Sequence, residues 1–402
     1  MFRPKCVATT SVSPDTAQRK YGEDAFFRNV QWSDTRAKDA EVSLTGFRSA
    51  DGTSLIASHA DNSIQTFIAP PDLLEERPEP HDLSPYCTIH SKDPVNTVVG
   101  YPFYNLDDPS TTLVLSSMRD HPIRLNSALT GHLGASYPLV NPMTETFISP
   151  HSLAFSGQGD RFIAGSESLI SIFDLSRPGQ GPISSVATGP KKRKDIDYSG
   201  VVNMRGIVSA LAVDTSTSVL AAGTYNRHVG LYDAMGQGDC IGVFSVKGTN
   251  ADHQIGGTGI TQVSWSPCGR YLYIAERKSD GVVLYDIRMT GQLLAWLEGR
   301  AAHTNQRLGF DVVATDDQGG HEIWAGGVDG FFRMWKHPHE NDGPVSPSFE
   351  FQGHNDAVSG AAVHCSGGVI ATSSGQRHFD LGFEDERVLD ATFDDSLKVW
   401  AL

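Results

Sequence analysis

The residues of this sequence best equipped for chemistry are cations set beside carboxamides and one aromatic ring. Tyr225-Asn226-Arg227, Arg277-Lys278, Asn305-Gln306-Arg307 and Gln376-Arg377, with Arg119 upstream, repeat that combination. Guanidinium and ammonium groups hold phosphate, carboxamides read base edges, and a tyrosine ring stacks on an unpaired base. A denser run, Lys191-Lys192-Arg193-Lys194, has the form either of a nuclear import signal or of an exposed loop. Bond-making chemistry has less to draw on. No Gly-x-Ser-x-Gly nucleophile turn, Walker A loop or His-Glu-x-x-His run occurs. His337-Pro338-His339 has a spacing that can hold a metal, but no third ligand lies near it in the sequence, so no metal is expected. Asp174, Asp233 and Asp286 each follow an aromatic residue and read as turn braces rather than acids or bases. The expectation is a binding protein and not an enzyme, with no cofactor and no small-molecule substrate.

Turns so far apart meet only if a repeating scaffold brings them together, and an internal repeat is present. Its unit is an apolar strand, a turn, a second strand ending in small residues, a polar turn, and a third strand closing on an aromatic residue plus Asp. Three copies are clear: His151–Ser156, Arg161–Ser166 and Leu169–Asp174; Val208–Val213, Val219–Thr224 and His228–Asp233; Thr261–Ser266, Tyr271–Ala275 and Val282–Asp286. Their spacing is a little above the roughly 40 to 45 residues of a minimal WD40 blade. Weaker copies begin at Asn29, at Val95 (followed by Gly131-His132), at Leu308 and at Ala357. Seven copies of short strands rich in Val, Ile and aromatic residues predict an all-β fold, a seven-bladed WD40 β-propeller. The last copy stops at Trp400 without an outer strand, while Lys5–Val12 precedes the first copy as an unassigned strand-like run. The N-terminus is therefore expected to supply the missing outer strand and to close the ring. The organisation read from this is one propeller over residues 1–402: a closing strand and lead-in (1–28), the blades (29–402), and an acidic insertion in the last blade (376–396).

With strands a to d numbered from axis to rim, the b-to-c turns and d-to-a connections of a propeller open on one face, here called the top. The b-to-c turns hold Arg119 in blade 2, Tyr225, Asn226 and Arg227 in blade 4, Arg277 and Lys278 in blade 5, and Gln376 and Arg377 in blade 7. The d-to-a connections add Lys191–Lys194 and Arg205 before blade 4 and Asn305, Gln306 and Arg307 before blade 6. This placement matters because 32 Lys and Arg face 47 Asp and Glu, a formal charge of −15 that repels nucleic acid at long range. Turns also carry charge by default, so each cation alone reads as a solvated or structurally bridging side chain before it reads as a ligand contact, and only their convergence from five blades on one channel mouth brings the binding reading level. The run Asp380–Asp395, seven acids and one Arg, is expected on the same face as a solvated insertion or a gate against unspecific polyanions. Five dispersed cysteines argue against a disulfide framework, and no stretch reaches the roughly 18 apolar residues of a membrane span. A soluble, unsecreted protein in a reducing compartment is expected, with no membrane partner.

Several of these stretches carry a more specific likeness. Pro150–Ser156, Arg177-Pro178-Gly179, Ala222–Asp233, Thr304–Asp311 and Ala371–Phe379 resemble the telomerase Cajal body protein family, WD-repeat proteins of small Cajal body and telomerase ribonucleoproteins. The likeness runs from about Asn29 to Phe379, and the Thr-Asn-Gln-Arg and Ser-Gly-Gln-Arg turns are its most specific parts. It implies a nuclear scaffold, in a Cajal-body-like compartment, that reads a short loop of small noncoding RNA and works with ribonucleoprotein partners as a monomeric propeller. A role with spliceosomal small nuclear RNA is a variant of that reading. A protein-protein scaffold that never touches RNA is the alternative from a different class.

Overall fold

The computed structural model describes residues 3–10, 26–33, 52–189, 204–289, 291–315, 320–378 and 393–402. Seven sheets, each built on four antiparallel strands, follow one another around an axis. Blade 1 is Phe27–Trp32, Ser54–His59, Ser63–Ile68 and Cys87–His90; blade 2 is Val95–Gly100, Leu113–Met118, Ile123–Ser127 and Leu133–Tyr137. Blade 3 is Ser152–Phe155, Arg161–Ser166, Leu169–Asp174 and Ser184–Ala187; blade 4 is Val208–Val213, Leu220–Thr224, His228–Tyr232 and Cys240–Ser245. Blade 5 is Ile260–Trp265, Tyr271–Glu276, Val282–Asp286 and Leu293–Leu297; blade 6 is Phe310–Ala314, His321–Gly326, Phe331–Lys336 and Phe349–Gln352. Blade 7 takes Val358–Val363, Val369–Ser374 and Leu397–Ala401 from one end of the chain and Lys5–Thr9 from the other. The expected all-β, seven-bladed propeller closed by an N-terminal strand is thus the fold of this chain. Lys5 lies opposite Ala401 and Thr9 opposite Lys398. The Leu397 amide also donates to the Thr10 hydroxyl at 3.0 Å, across 387 residues of sequence.

The repeat has a packing reason. Seven apolar clusters each fill the gap between two adjacent blades, so no blade owns a core and the ring is stable only when closed. The small residues ending strand b are set by that contact. A Cβ on Gly223 would lie 2.6 Å from Ile260 of the next blade, and one on Gly326 2.5 Å from Val358, so only glycine lets the blades approach this closely. The serines early in strand a stitch the same neighbours at the axis. Ser152 donates to the Val208 carbonyl at 2.8 Å, Ser209 to Ile260 at 2.5 Å and Ser359 to Phe27 at 2.6 Å.

Three features depart from the sequence reading. A short helix, Asn250–Ile255, capped by Thr249, sits in the connection from blade 4 to blade 5. Blades 5 and 7 each gain a fifth, parallel strand on the outside, Gly343–Val345 and His81–Asp82. Third, a Gly-His pair that the sequence reading did not single out, Gly353-His354, braces blade 7. There the Trp400 indole donates to the Thr372 hydroxyl at 2.8 Å, Thr372 meets His354 Nε2 at 2.7 Å, and His354 Nδ1 faces Asp394 at 3.3 Å. Burial holds the His354 ring below its ordinary pKa, which fits a neutral imidazole taking the Thr372 proton and giving its own to Asp394.

Asp394 also corrects the reading of the acidic run. Residues 379–392 lie outside the described residues, but Asp394 is a buried brace, not a solvated charge or gate: it also accepts from the Asn355 amide at 3.0 Å. Burial alone would raise its pKa; His354, Ser396 and the Asn355 amide instead hold it far below the carboxylate range. The turn aspartates are likewise occupied locally. Asp174 accepts from Ser176, Asp233 from the Ala234 amide, and Asp286 from Arg288.

Candidate nucleic-acid interface

Three cavities of about 480, 230 and 360 Å³ succeed one another along the axis, sharing Asn29, Gln262, Gly309 and then Asp311 in their walls. The first is the top mouth. Its wall takes residues from six blades or their leading connections: Asn29, Asn96, His151, Tyr225, Gln262 and Arg307. Strand alternation explains the amides, since residues of strand a that face away from the inter-blade cores face the channel.

Arg307 organises this mouth. It precedes blade 6, yet both terminal nitrogens reach the carbonyl of His151 before blade 3, at 3.3 and 3.4 Å. One of them also donates to the Tyr225 hydroxyl of blade 4 at 2.9 Å. The guanidinium of Arg277, from blade 5, lies over the Tyr225 ring at 4.2 Å, and that of Arg307 is 5.8 Å from the same ring. Burial first, then the positive charges of Arg307 and Arg119, push the His151 imidazole below its ordinary pKa against a smaller opposing pull from Glu167. The mouth is therefore positive, with a neutral His151 at its edge.

Of the other expected residues, several stand around this centre and others are drawn away from it. Arg119, Lys278, Asn305 and Arg377 are exposed on top-face turns. Asn226 is exposed but spends its amide on the Arg205 carbonyl at 2.8 Å. Gln306 ties its amide to the Gly375 carbonyl at 2.9 Å, and Gln376 gives its own to Asp356 at 2.6 Å. Lys191–Lys194 lie outside the described residues.

Arg227 is the expectation that the geometry overturns as a free ligand. Its side chain is buried, with Nε 2.9 Å from both carboxylate oxygens of Glu276 and one terminal nitrogen 2.6 Å from Asp252. Burial works against that charge, but the two carboxylates outweigh it and raise the guanidinium's pKa. Its backbone sits at φ +68°, the left-handed region that glycine holds more easily, so the ion pairs anchor a turn that Arg would otherwise disfavour. The same triad fastens the short helix carrying Asp252 to the turns carrying Tyr225 and Arg277.

Two residues missed by the sequence reading complete the site. Arg28 of blade 1 lines the mouth and donates to the Ala60 carbonyl at 3.2 Å. Arg300 is wholly buried, and burial pulls its pKa down to about 10. Its guanidinium binds the carbonyls of Leu308 at 2.7 Å, Gly309 at 3.1 Å and Gly326 at 3.2 Å. It thereby fixes the end of the loop that carries Arg307. Its sequence signal is slight, a cation followed by two alanines (Arg300-Ala301-Ala302) in the polar lead-in to blade 6, and without the fold nothing said that carbonyls surround it.

Comparison with known proteins adds a lineage. No protein-family model matches the chain. It is 30% identical over 353 residues to telomerase Cajal body protein 1 of Mesocricetus auratus, covering 87% of this chain and 61% of that protein. It is 29% identical over 387 residues to the protein of the same name in Mus musculus, covering 92% and 68%. It is 31% identical over 293 residues to guanine nucleotide-binding protein negative regulator 1 of Schizosaccharomyces pombe, covering 72% and 69%. The chain thus spans about three fifths to two thirds of the length of these relatives.

Proposed function

Because the chain belongs to the telomerase Cajal body protein family, we propose that it is a non-enzymatic nuclear scaffold that binds an unpaired loop of small noncoding RNA at the top mouth of its channel and supports assembly or localisation of the ribonucleoprotein. The observation that carries this reading is the convergence of Arg307, Arg277 and Tyr225, from three separate blades, on one positive, amide-walled opening.

The chemistry follows from what each group has left to offer. Tyr225 is flanked by two guanidiniums, so an incoming base stacks on the outer face of Arg277, which extends the tyrosine platform. Arg119, Lys278 and Arg377 neutralise phosphates around the rim, and Asn305 is the exposed amide that reads a base edge. Arg307 adds charge at the centre, while Arg227 contributes only by holding the platform. Lys191–Lys194 serve nuclear import, and the propeller acts as a monomer alongside protein subunits of the particle.

Crosslinking followed by sequencing of the bound species names the RNA, whether telomerase, small Cajal body or spliceosomal. Affinity for that RNA should fall with salt, each phosphate contact contributing about 0.7 to the log–log slope. Arg277→Ala and Arg307→Ala together should weaken binding and lower that slope, and a matched RNA with its loop base-paired should bind poorly. Parental binding by the double variant between about 50 and 200 mM salt would overturn the RNA face in favour of a scaffold that contacts only protein.

A further inference from the structure

The two fifth strands obey one rule. Gly343–Val345 runs parallel to the outer strand of blade 5 and comes from the c-to-d connection of blade 6. His81–Asp82 runs parallel to the outer strand of blade 7 and comes from the c-to-d connection of blade 1. Each cover is pinned where the covered strand ends: the Glu298 amide donates to Val345 at 3.0 Å, and the Leu83 amide to Thr9 at 2.8 Å. By this rule the cover of blade 6 would come from blade 7. Blade 7, however, takes strand c from Leu397–Ala401 and strand d from Lys5–Thr9, so it has no c-to-d connection to lend. Among the described residues blade 6, like blades 1 to 4, ends on an open outer strand, here Phe349–Gln352, but it alone stands between two neighbours that are covered.

A groove of about 810 Å³ runs along that open edge, lined by Arg3, Phe331, Pro347 and the strand itself. Phe349 and Phe351 are only half-buried, although Phe351 packs edge-on to Trp400 at 5.0 Å and Phe332 at 5.3 Å. Glu350 is engaged by Arg333 at 3.4 Å, whereas the exposed Arg3 has no partner among the described residues. Unpaired backbone groups, an aromatic floor with a two-residue period and one unneutralised cation describe the complement of an extended, apolar-alternating, acidic peptide.

We propose that the outer edge of blade 6 is a docking site for an extended segment of a partner protein, which adds to Phe349–Gln352 as a parallel fifth strand. Its apolar side chains cover Phe349 and Phe351, and an acid at its N-terminal end meets Arg3, because outer strands of neighbouring blades start on the same face. This site is remote from the channel mouth and independent of the RNA reading.

The probe is a fluorescein-labelled Glu-Glu-Val-Thr-Val-Thr-Val peptide added to the full chain, read by anisotropy and by hydrogen exchange. Outward-facing amides of Phe349–Gln352 should exchange at least about tenfold more slowly on saturation. A peptide with its central Val replaced by Pro, which removes a donor, should bind about tenfold more weakly. Arg3→Glu, at a site that leaves the fold intact, should weaken the acidic peptide about fivefold and favour a Lys-Lys counterpart. Unchanged exchange in the strand, or indifference to Pro and to Arg3→Glu, overturns the proposal. The same protection in concentrated protein without peptide also overturns it, by giving the edge to a second copy of the chain.

Discussion

Removing the guanidinium of Arg227 leaves Glu276 buried opposite nothing, whereas removing that of Arg307 leaves a carbonyl and a hydroxyl at an open mouth that water refills. Arg227→Ala should therefore cost about 3–5 kcal/mol of stability and Arg307→Ala about 1 kcal/mol, a contrast that denaturant titration of the two variants resolves. Equal costs would mean that the Arg227 triad contributes no more than a surface contact. Arg300 belongs with Arg227. Arg300→Met strands the carbonyls of Leu308, Gly309 and Gly326, each at a cost on the order of 1–3 kcal/mol, and Arg300→Lys recovers only part of it because an ammonium lacks the planar fork. A melting temperature for Arg300→Met equal to the parent's would show that the buried guanidinium is dispensable. These pairings could not be read from the turns themselves: the partners of Arg227 are 25 and 49 residues away, and local sequence makes Arg227 and Arg307 look alike.

At the scale of the element, the closing strand carries the sharpest expectation. Deleting residues 3–10 removes the row of hydrogen bonds to Leu397–Ala401 and bares both that strand and the cluster between blades 7 and 1. A loss of about 5 kcal/mol would lower the melting temperature of a chain this long by roughly 5 °C or more. Calorimetry on the truncated protein decides it, and an unchanged transition would mean that the ring does not depend on the seam. This strand was legible because counting strands to Trp400 left one missing. The blades were legible for the same arithmetic reason, a repeat of alternating strands whose small residues mark the inter-blade contacts. The parallel covers were not. Gly343–Val345 and His81–Asp82 are two or three residues long, carry Gly, Pro and charge, and become strands only because a neighbouring edge offers them partners. The brace on Asp394 hid in a run of acids, where no local feature separates a buried carboxylate from solvated ones.

For the whole molecule, pH acts through imidazoles wholly or half withdrawn from water. Burial lowers the folded-state pKa of His354, and also those of His151, His228 and His339. The unfolded chain then takes up protons first, near pH 6.5, so the stability these rings contribute is complete above that value and is lost as pH falls toward their folded pKa values. The fully buried His354 adds a slope of up to about 1.4 kcal/mol per pH unit in that window, and the half-buried His151, His228 and His339 add less because solvent screens their charge. Asp394 acts lower down: its depressed pKa contributes stability above about pH 4 that disappears only in stronger acid. Melting temperatures measured from pH 8 to 5 should fall most below 6.5, and His354→Asn should flatten that fall while lowering the value at pH 8. A pH-independent melting temperature would place those rings in solvent.

The seam between Lys5–Thr9 and Leu397–Ala401 also sets a clock on biosynthesis. The first strand leaves the ribosome well before its partner; at about 5–20 residues per second, the 387-residue separation of Thr10 and Leu397 keeps it waiting roughly 20 to 80 s. Blades 1 to 6 can form as they emerge, but every nascent chain spends that interval as an open ring with a bare seam. A nonsense codon just before Leu397 therefore abandons the strand Lys5–Thr9 as well, and its product should be cleared by proteases rather than accumulate as a shorter propeller.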